Sequence, residues 1–153
     1  MSESIWKPNT TVAVIVERDG RYLLVEEHTA DGLRFNQPAG HLDHGESLLA
    51  ASVREAREET GYTVIPTALV GIYQWSPPGK PGLTYLRVAY AAELDERAPV
   101  ATELDPDILR PVWLGYDELL ACRERHRSPL VLQCIDDYRA GRRYPLELIS
   151  HHD

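Results

Sequence analysis

At 153 residues, with 43% hydrophobic and 26% charged residues, the chain has the size and composition of one globular domain that folds around its own core. Its net charge of −8 argues against binding to nucleic-acid polymers or to anionic membranes. No apolar run approaches the ~20 residues that a membrane-spanning helix needs. We therefore expect a single domain over residues 1–153, with a frayed tail at residues 150–153.

The N-terminal stretch and the cysteines indicate where the protein works. Residues 1–9 lack the basic-then-apolar layout of a signal peptide. Cys122 and Cys134 match no metal-binding or redox spacing. Two free thiols in a cytoplasmic protein are the expected arrangement.

The first elements predicted along the chain form a β-hairpin. Residues 10–17 place valines at alternate positions, which is typical of a strand with one apolar face. The pair Asp19-Gly20 predicts a tight turn into a second strand at residues 22–26.

A helix is the next predicted element. Ser47 is a predicted N-cap, and Leu49, Val53 and Ala56 recur at intervals of four and three residues, which marks one apolar helical face. Gly61 supplies the left-handed stop that commonly ends a helix.

The C-terminal half predicts more strands, two loops and a second long helix. Strands are expected at residues 68–75, 83–94 and 111–114, and a helical turn at residues 116–120. A Pro-rich loop covers residues 76–82, and an acidic loop that we expect to be mobile covers residues 95–106. Ser128-Pro129 begins a helix that runs to Gly141, with a buried face of Leu130, Cys134, Ile135 and Tyr138. Strands before, between and after two principal helices predict an α+β or α/β sandwich with a mixed β-sheet between α-helices.

Three acids crowd the C-terminal end of the first helix. Glu55, Glu58 and Glu59 lie at positions i, i+3 and i+4, so their carboxylates share one patch of surface. Each acid near a helix C-terminus costs about 0.3–1 kcal/mol, and a hard divalent cation would reverse the sign of that cost. A solvated acidic face balanced by Arg54 and Arg57 is the alternative for any Glu-rich helix.

The spacing of these acids within a longer motif decides between the two interpretations. Gly40, Glu46, the pair Arg54-Glu55, the pair Glu58-Glu59 and Gly61 are separated by the intervals of a Nudix box, and the stretch from residue 40 to residue 62 resembles that box from end to end. Ala56 is the one departure, since the family usually carries a larger aliphatic residue there.

The resemblance implies a set of roles for the box residues. Glu58 and Glu59 are implied to ligate Mg²⁺ or Mn²⁺, with Glu55 as a further ligand or as the base for the attacking water. The main-chain carbonyl of Gly40 is implied as another ligand, and Arg54 is implied to orient a glutamate. These oxygen donors suit Mg²⁺, which also keeps waters and substrate phosphates in its coordination shell.

Nudix enzymes often draw a further acid from a loop outside the box. Glu103, Asp105 and Asp107 are the candidates, and we favour Asp105. A solvated loop acid is the alternative for each of them.

Flanking segments resemble one branch of the superfamily, the NudJ type. They are residues 36–42, residues 127–131 and residues 143–146. This similarity implies hydrolysis of nucleoside tri- and diphosphates, and also of thiamine pyrophosphate and hydroxymethylpyrimidine pyrophosphate, with release of phosphate. The predicted substrate-binding residues are Gln37, Arg87, Arg143 and Tyr144, while Tyr73, Trp75 and Tyr85 are candidates for stacking on a heterocycle.

Other functions remain open at this point. Within the enzymes, the alternatives are a MutT-like pyrophosphatase for oxidised dNTPs and an ADP-ribose-type pyrophosphatase. A Nudix-fold binding module without catalysis is the alternative from another class, and the intact box argues against it. The expected partner is a small-molecule phosphate or diphosphate substrate, for a protein that is a monomer or a homodimer.

Overall fold

The computed structural model describes residues 4–153, so the first three of residues 1–9, which were compared above with a signal peptide, lie outside the described part. The strands are β1 (Asn9–Ile15), β2 (Glu17–Arg18), β3 (Arg21–Thr29), β4 (Gly32–Asn36), β5 (Ala39–His41), β6 (Val64–Trp75), β7 (Tyr85–Leu94) and β8 (Ile108–Gly115). The helices are α1 (Leu48–Thr60), α2 (Tyr116–Ala121) and α3 (Leu130–Arg139), with 3₁₀ turns at Arg123–Arg125 and Leu146–Leu148. None of the helices in residues 4–153 is long and apolar enough to cross a membrane.

The strands within residues 4–153 form two four-stranded sheets, where the sequence predicts one. The first sheet has the order β5-β1-β7-β6 and is mixed, because β1 runs parallel to β7 while the other pairs are antiparallel. In the second sheet β3 is the centre, and β2, β4 and β8 all pair with it in antiparallel fashion. The predicted α+β sandwich with a mixed sheet and flanking helices is confirmed.

The predicted hairpin is correct only at its tip. The short strand β2 pairs with β3 through Glu17 opposite Tyr22, as the turn at residues 19–20 predicts. The strand before it, β1, instead joins the first sheet between β5 and β7. The reason is that Ala13 and Ile15 are as deeply buried as the alternating valines, and a strand that is apolar on both faces belongs in the interior of a covered sheet.

Helices α1 and α3 cover the two faces of the first sheet. Val14 packs with Ala56 of α1 on one face. Ile15, its neighbour in β1, packs with Val131 and Ile135 of α3 on the other face. This alternation places the Glu-rich helix and the helix at residues 130–139 on opposite sides of the same sheet.

The predicted ends of α1 are both confirmed. Ser47 Oγ accepts a hydrogen bond from the Ala50 N–H at 3.0 Å, which caps the first turn. Gly61 adopts the left-handed conformation with φ of 80°, and its N–H donates to the Arg57 carbonyl. The second long helix is shorter than predicted, since it ends at Arg139, and Tyr138 is only partly buried.

The acidic loop at residues 95–107 is tied to the end of α1 by backbone hydrogen bonds. The Ala101 N–H donates to the Gly61 carbonyl at 2.8 Å, and the Asp105 N–H donates to the Glu58 carbonyl at 2.9 Å. A third bond joins the Asp95 N–H to the Thr63 carbonyl at 2.8 Å. The loop that the sequence predicts as mobile is therefore restrained along its length, and the restraint fixes where Asp105 lies.

Two glycines that follow helices give a matched test of this restraint. Gly61 and Gly141 have φ of 80° and 85°, but a Cβ at Gly61 would lie 2.1 Å from the Ala101 carbonyl oxygen, whereas one at Gly141 would meet nothing within 4 Å. We expect Gly141→Ala to lower the free energy of unfolding by about 1 kcal/mol through backbone strain alone. We expect Gly61→Ala to lower it by about 2–3 kcal/mol, because the loop must also move away. Urea denaturation measures both values, and equal losses would contradict the restraint.

Candidate functional site

A cluster of three carboxylates lies at the C-terminal end of α1. Glu55, Glu59 and Asp105 each offer an oxygen, and these oxygens lie within 4.8 Å of one another. Glu55 and Glu59 share one side of the helix because they are one turn apart. Asp105 reaches them because its N–H is bonded to the Glu58 carbonyl. Of the three loop acids that the sequence proposes, Glu103 is exposed and Asp107 lines the neighbouring cavity, so only Asp105 joins the cluster.

The backbone of strand β5 lies directly against two of these carboxylates. The Ala39 N–H donates to Glu59 Oε1 at 2.8 Å. A Cβ on Gly40 would lie 2.1 Å from Glu55 Cδ, which is closer than any real contact. A side chain at position 40 would therefore displace the Glu55 carboxylate, which occupies the space that the Cβ would fill.

Arg54 connects most of the remaining box residues. Its Nε and Nη2 donate to the two carboxylate oxygens of Glu46 at 2.7 and 2.9 Å, a bidentate pair. Its Nη1 donates to Glu55 Oε1 at 2.8 Å and to Glu58 Oε2 at 3.2 Å. The hydrogen bonds to Glu46 raise the pKa of the Arg54 guanidinium and hold the pKa of Glu46 below its usual value. This geometry matches the orienting role that the resemblance implies for Arg54.

The position of Glu58 differs from that of the other two acids of the helix. Glu58 is half-exposed and faces Arg54, and it is outside the group of three carboxylates that lie close enough to share an ion. The structure thus brings Glu55, Glu59 and Asp105 together, with Gly40 alongside. Glu58 is linked to Glu55 only through the Arg54 guanidinium, which donates to both carboxylates.

Burial makes the cluster electrostatically unfavourable when it is fully ionised. The pKa of Glu59 is raised to about 9, first by loss of solvent and then by the nearby charges of Glu27, Glu55 and Asp105, against the opposing effect of the Ala39 N–H. Burial also raises the pKa of Glu55, although the hydrogen bond from Arg54 offsets part of that rise. A divalent cation would relieve this repulsion, and three hard carboxylate oxygens form the kind of donor set that Mg²⁺ or Mn²⁺ prefers.

A cavity of about 590 Å³ opens beside the carboxylates. Its acidic side is formed by Glu55, Glu59 and the backbone of Ala39 and Gly40. The rest of the lining holds four basic side chains, two aromatic rings and four further acids, namely Arg34, Lys80, Arg87, Arg127, Trp75, Tyr85, Glu27, Asp31, Asp43 and Asp107. An anion inside this cavity would meet positive charge in spite of the net charge of the protein.

Only one of the four predicted substrate-binding residues lines the cavity, and it is Arg87. Gln37 is completely buried, and it donates from Nε2 to the Val131 carbonyl at 2.6 Å, so it cannot touch a substrate directly. Arg143 lies with its guanidinium 3.9 Å from the ring centre of Tyr138, outside the cavity.

Tyr144 also lies outside the cavity, because its backbone is hydrogen-bonded to a strand of the first sheet. Its N–H and carbonyl exchange hydrogen bonds of 2.8 Å with Leu69 of strand β6. The structure therefore gives no support to direct substrate contacts by Gln37, Arg143 or Tyr144.

Sequence reasoning missed three acids of the cavity lining, Glu27, Asp31 and Asp43, and only partly resolved the aromatic residues. Glu27 is buried, lines the cavity and accepts a hydrogen bond from Arg127 Nη1 at 2.6 Å. Two consecutive acids at the end of an apolar strand were the available signal. Among the aromatic candidates, Trp75 and Tyr85 line the cavity and stack with ring centres 6.1 Å apart, whereas the Tyr73 hydroxyl donates to Asp137 at 2.7 Å.

Comparison with known proteins identifies the family. A family model described as the NUDIX domain matches residues 6–133. The chain belongs to the Nudix family. It is 40% identical over 146 residues to phosphatase NudJ of Escherichia coli strain K12, an alignment that covers 95% of this chain and 93% of that protein. A solved structure, a NUDIX hydrolase from Nitrosomonas europaea, is 46% identical with a TM-score of 0.90 and covers 95% of this chain and 98% of its own.

More distant solved structures share the fold. A UDP-X diphosphatase has a TM-score of 0.71 at 17% identity, covering 93% of this chain and 68% of its own. With the family and its phosphatase relatives established, this Nudix domain is an enzyme that cleaves phosphoanhydride bonds. The predicted superfamily, the NudJ resemblance and the enzyme class are all confirmed.

The raised pKa of Glu59 gives a pH-dependent stability in metal-free buffer. Because folding favours the protonated carboxyl, its contribution is fully present below the unfolded value of 4.5 and is lost as pH rises towards about 9. We expect the free energy of unfolding of the wild type to fall over this range relative to Glu59→Gln, which cannot ionise. Denaturant titrations at several pH values measure the difference. Glu103→Gln, at an exposed loop position, is the control and should follow the wild type. An identical pH dependence in Glu59→Gln and wild type would contradict the buried-charge description.

Proposed function

We propose that this chain is a Mg²⁺-dependent Nudix hydrolase of nucleoside tri- and diphosphates that releases phosphate. Thiamine pyrophosphate and hydroxymethylpyrimidine pyrophosphate are further proposed substrates. The observation that carries the proposal is the group formed by Glu55, Glu59 and Asp105, whose two glutamates line a cavity that Arg87 also lines. Identity of 40% to phosphatase NudJ over nearly the whole chain supports the choice of reaction.

In the proposed site, Glu55, Glu59 and Asp105 hold the cation, and Mn²⁺ can substitute for Mg²⁺. The Gly40 carbonyl and Glu58 are proposed as additional oxygen donors next to this group. When bound, the cation supplies positive charge that neutralises the diphosphate and makes a water molecule more acidic. Arg54 fixes the carboxylates before the substrate arrives, because one guanidinium is bonded to Glu46, Glu55 and Glu58 at once.

As the alternative to ligating the cation, Glu55 is proposed as the base for the attacking water, with Glu59 and Asp105 then holding the cation. Arg54 occupies its Oε1, so Oε2 is the oxygen left to accept a proton. Burial raises the pKa of the Glu55 carboxyl in the absence of a cation, and the hydrogen bond from Arg54 offsets part of that rise. Because Oε1 is engaged by Arg54 and Oε2 is not, this residue has a defined direction for proton transfer.

The opposite walls of the cavity are proposed to bind the rest of the substrate. Arg87 is positioned to grip a phosphate group, since a guanidinium binds phosphate oxygens in bidentate fashion. The stacked rings of Trp75 and Tyr85 offer a flat apolar surface to a base or another heterocycle.

Isosteric substitutions of the acids test the proposed metal site. We expect Glu59→Gln and Asp105→Asn to lower kcat/KM by at least about 100-fold, because each removes a charge from the cluster. Glu58→Gln should cost about 10-fold, since Glu58 acts from outside the cluster. Glu103→Gln is the control and should keep wild-type turnover. Steady-state hydrolysis with and without EDTA measures these effects, and full activity in excess EDTA would refute the metal requirement.

The product of GTP hydrolysis tests the proposed reaction. With GTP and Mg²⁺ we expect orthophosphate as the main product, because attack at the terminal phosphorus leaves GDP. Attack one unit further in would give pyrophosphate and GMP, as expected of the MutT-like alternative. Separate quantification of phosphate and pyrophosphate over time decides between them. Predominant pyrophosphate would overturn the proposed branch of substrates while leaving the Nudix assignment in place.

A further inference from the structure

Arg87 is a buried guanidinium at the wall of the cavity. Only 6% of the residue is exposed, although it lines the cavity. Its Nη1 donates to Gln37 Oε1 at 2.8 Å and contacts Cys134 Sγ at 3.8 Å, and its Nη2 donates to Asn36 Oδ1 at 2.9 Å. These three contacts come from the end of strand β4 and from helix α3, so the side chain is held from two sides.

All of these partners are neutral. Within residues 4–153, no carboxylate oxygen lies within 4.0 Å of the Arg87 guanidinium, whereas Arg127 on the same cavity wall is paired with Glu27. A buried charge normally has a counter-charge, because removal of an ion from water is costly unless it is compensated. Asparagine at position 36 is the informative choice, since aspartate has the same shape and would supply that counter-charge.

The Arg87 guanidinium also has donors to spare. It carries five N–H groups, and the three contacts use two on Nη1 and one on Nη2. No fully buried side-chain nitrogen in the described residues lacks a partner, so Nε of Arg87, which has none, is at least partly accessible. The residue lines the cavity, and the unused donors on Nε and Nη2 therefore suit an oxyanion that enters from there.

We infer that Asn36 and Gln37 form a neutral amide cradle that orients Arg87 and leaves its positive charge for an anionic group of the substrate. In this arrangement Asn36 and Gln37 are positioning residues that act through Arg87. The counter-charge that the protein omits is supplied by a phosphate group of the bound substrate. The identity of that group as a substrate phosphate rests on the proposed function, whereas binding of an oxyanion does not.

The cradle is also connected to the acidic wall through the chain. Asn36 and Gln37 come two to four residues before Ala39 and Gly40, which contact Glu59 and Glu55. A segment of this length spans at most about 14 Å even when fully extended. One short piece of backbone therefore positions both the Arg87 guanidinium and the carboxylates of Glu55 and Glu59.

Asn36→Asp tests the inference because it adds the missing counter-charge without a change of shape. We expect the dissociation constant of imidodiphosphate in Mg²⁺ buffer, measured by calorimetry, and the KM for GTP to rise at least about 10-fold. We expect kcat to stay within about 3-fold of wild type, because the lost interaction holds ground state and transition state alike. The melting temperature should be equal to or higher than that of the wild type, because the buried guanidinium gains a partner.

Two further variants complete the experiment. Gln74→Glu adds the same charge at an exposed position outside the cavity and should bind imidodiphosphate as the wild type does. Arg87→Gln removes the cation and should weaken imidodiphosphate binding at least as much as Asn36→Asp.

Each other outcome is decisive. Unchanged imidodiphosphate affinity in Asn36→Asp would overturn the inference. If the wild type hydrolyses no nucleotide but Asn36→Asp still weakens imidodiphosphate binding, the proposed function is refuted and the inference stands. Hydrolysis of GTP with an unchanged KM in Asn36→Asp would do the reverse.

Discussion

The concentration of negative charge at the end of α1 is the constraint on which the site depends. Glu55 and Glu59 are buried at a helix C-terminus, where the backbone itself already carries partial negative charge. Their immediate surroundings compensate for this in different ways. Arg54 neutralises part of the charge, the Ala39 N–H provides a hydrogen bond, and Gly40 provides room. Asp105 works in the opposite direction by adding a further acid, and a cation that completed the group would offset the added repulsion.

The cavity reconciles an acidic protein with anionic substrates through local separation of charge. Its lining combines the carboxylates of Glu55 and Glu59 with basic side chains and with further acids such as Glu27 and Asp107. One of the basic groups, Arg127, is paired with Glu27, whereas Arg87 has only neutral partners within residues 4–153. The overall charge of −8 therefore says little about what the cavity attracts, because the field that a ligand meets is set by the nearest unpaired groups.

Local signals predicted well those features that depend on neighbours in sequence. The cap at Ser47, the stop at Gly61 and the box spacing could all be identified from short stretches, because a helix end depends on a few adjacent residues. Contacts between distant segments were harder. Gln37 and Tyr144 lie in motifs that suggested substrate binding, yet one is turned into the core by Val131 and the other is bonded to Leu69. Local patterns in a single sequence do not reveal such long-range contacts.

Asp105 shows that a correct prediction can also depend on a contact that the sequence does not reveal. Three acids within five residues have equivalent chemistry, and only the hydrogen bond from the Asp105 N–H to the Glu58 carbonyl places one of them at the cluster. Placement of an outer acid thus depends on main-chain pairing between a loop and a helix end. Gly61 makes that pairing possible, since the Ala101 carbonyl oxygen of the loop occupies the space that a Cβ at position 61 would fill.

The segment at residues 36–41 has a consequence for how this enzyme can change over evolution. It carries the cradle of Arg87, the N–H that binds Glu59 and the glycine that accommodates Glu55, so an insertion or deletion within it would disturb every one of these contacts together. The Pro-rich loop at residues 76–82 also borders the cavity, but its glycines at positions 79 and 82 lie in open space. New substrate preferences can therefore arise by replacement of the loop at residues 76–82, while the segment at residues 36–41 is expected to keep its length in every descendant that retains the chemistry.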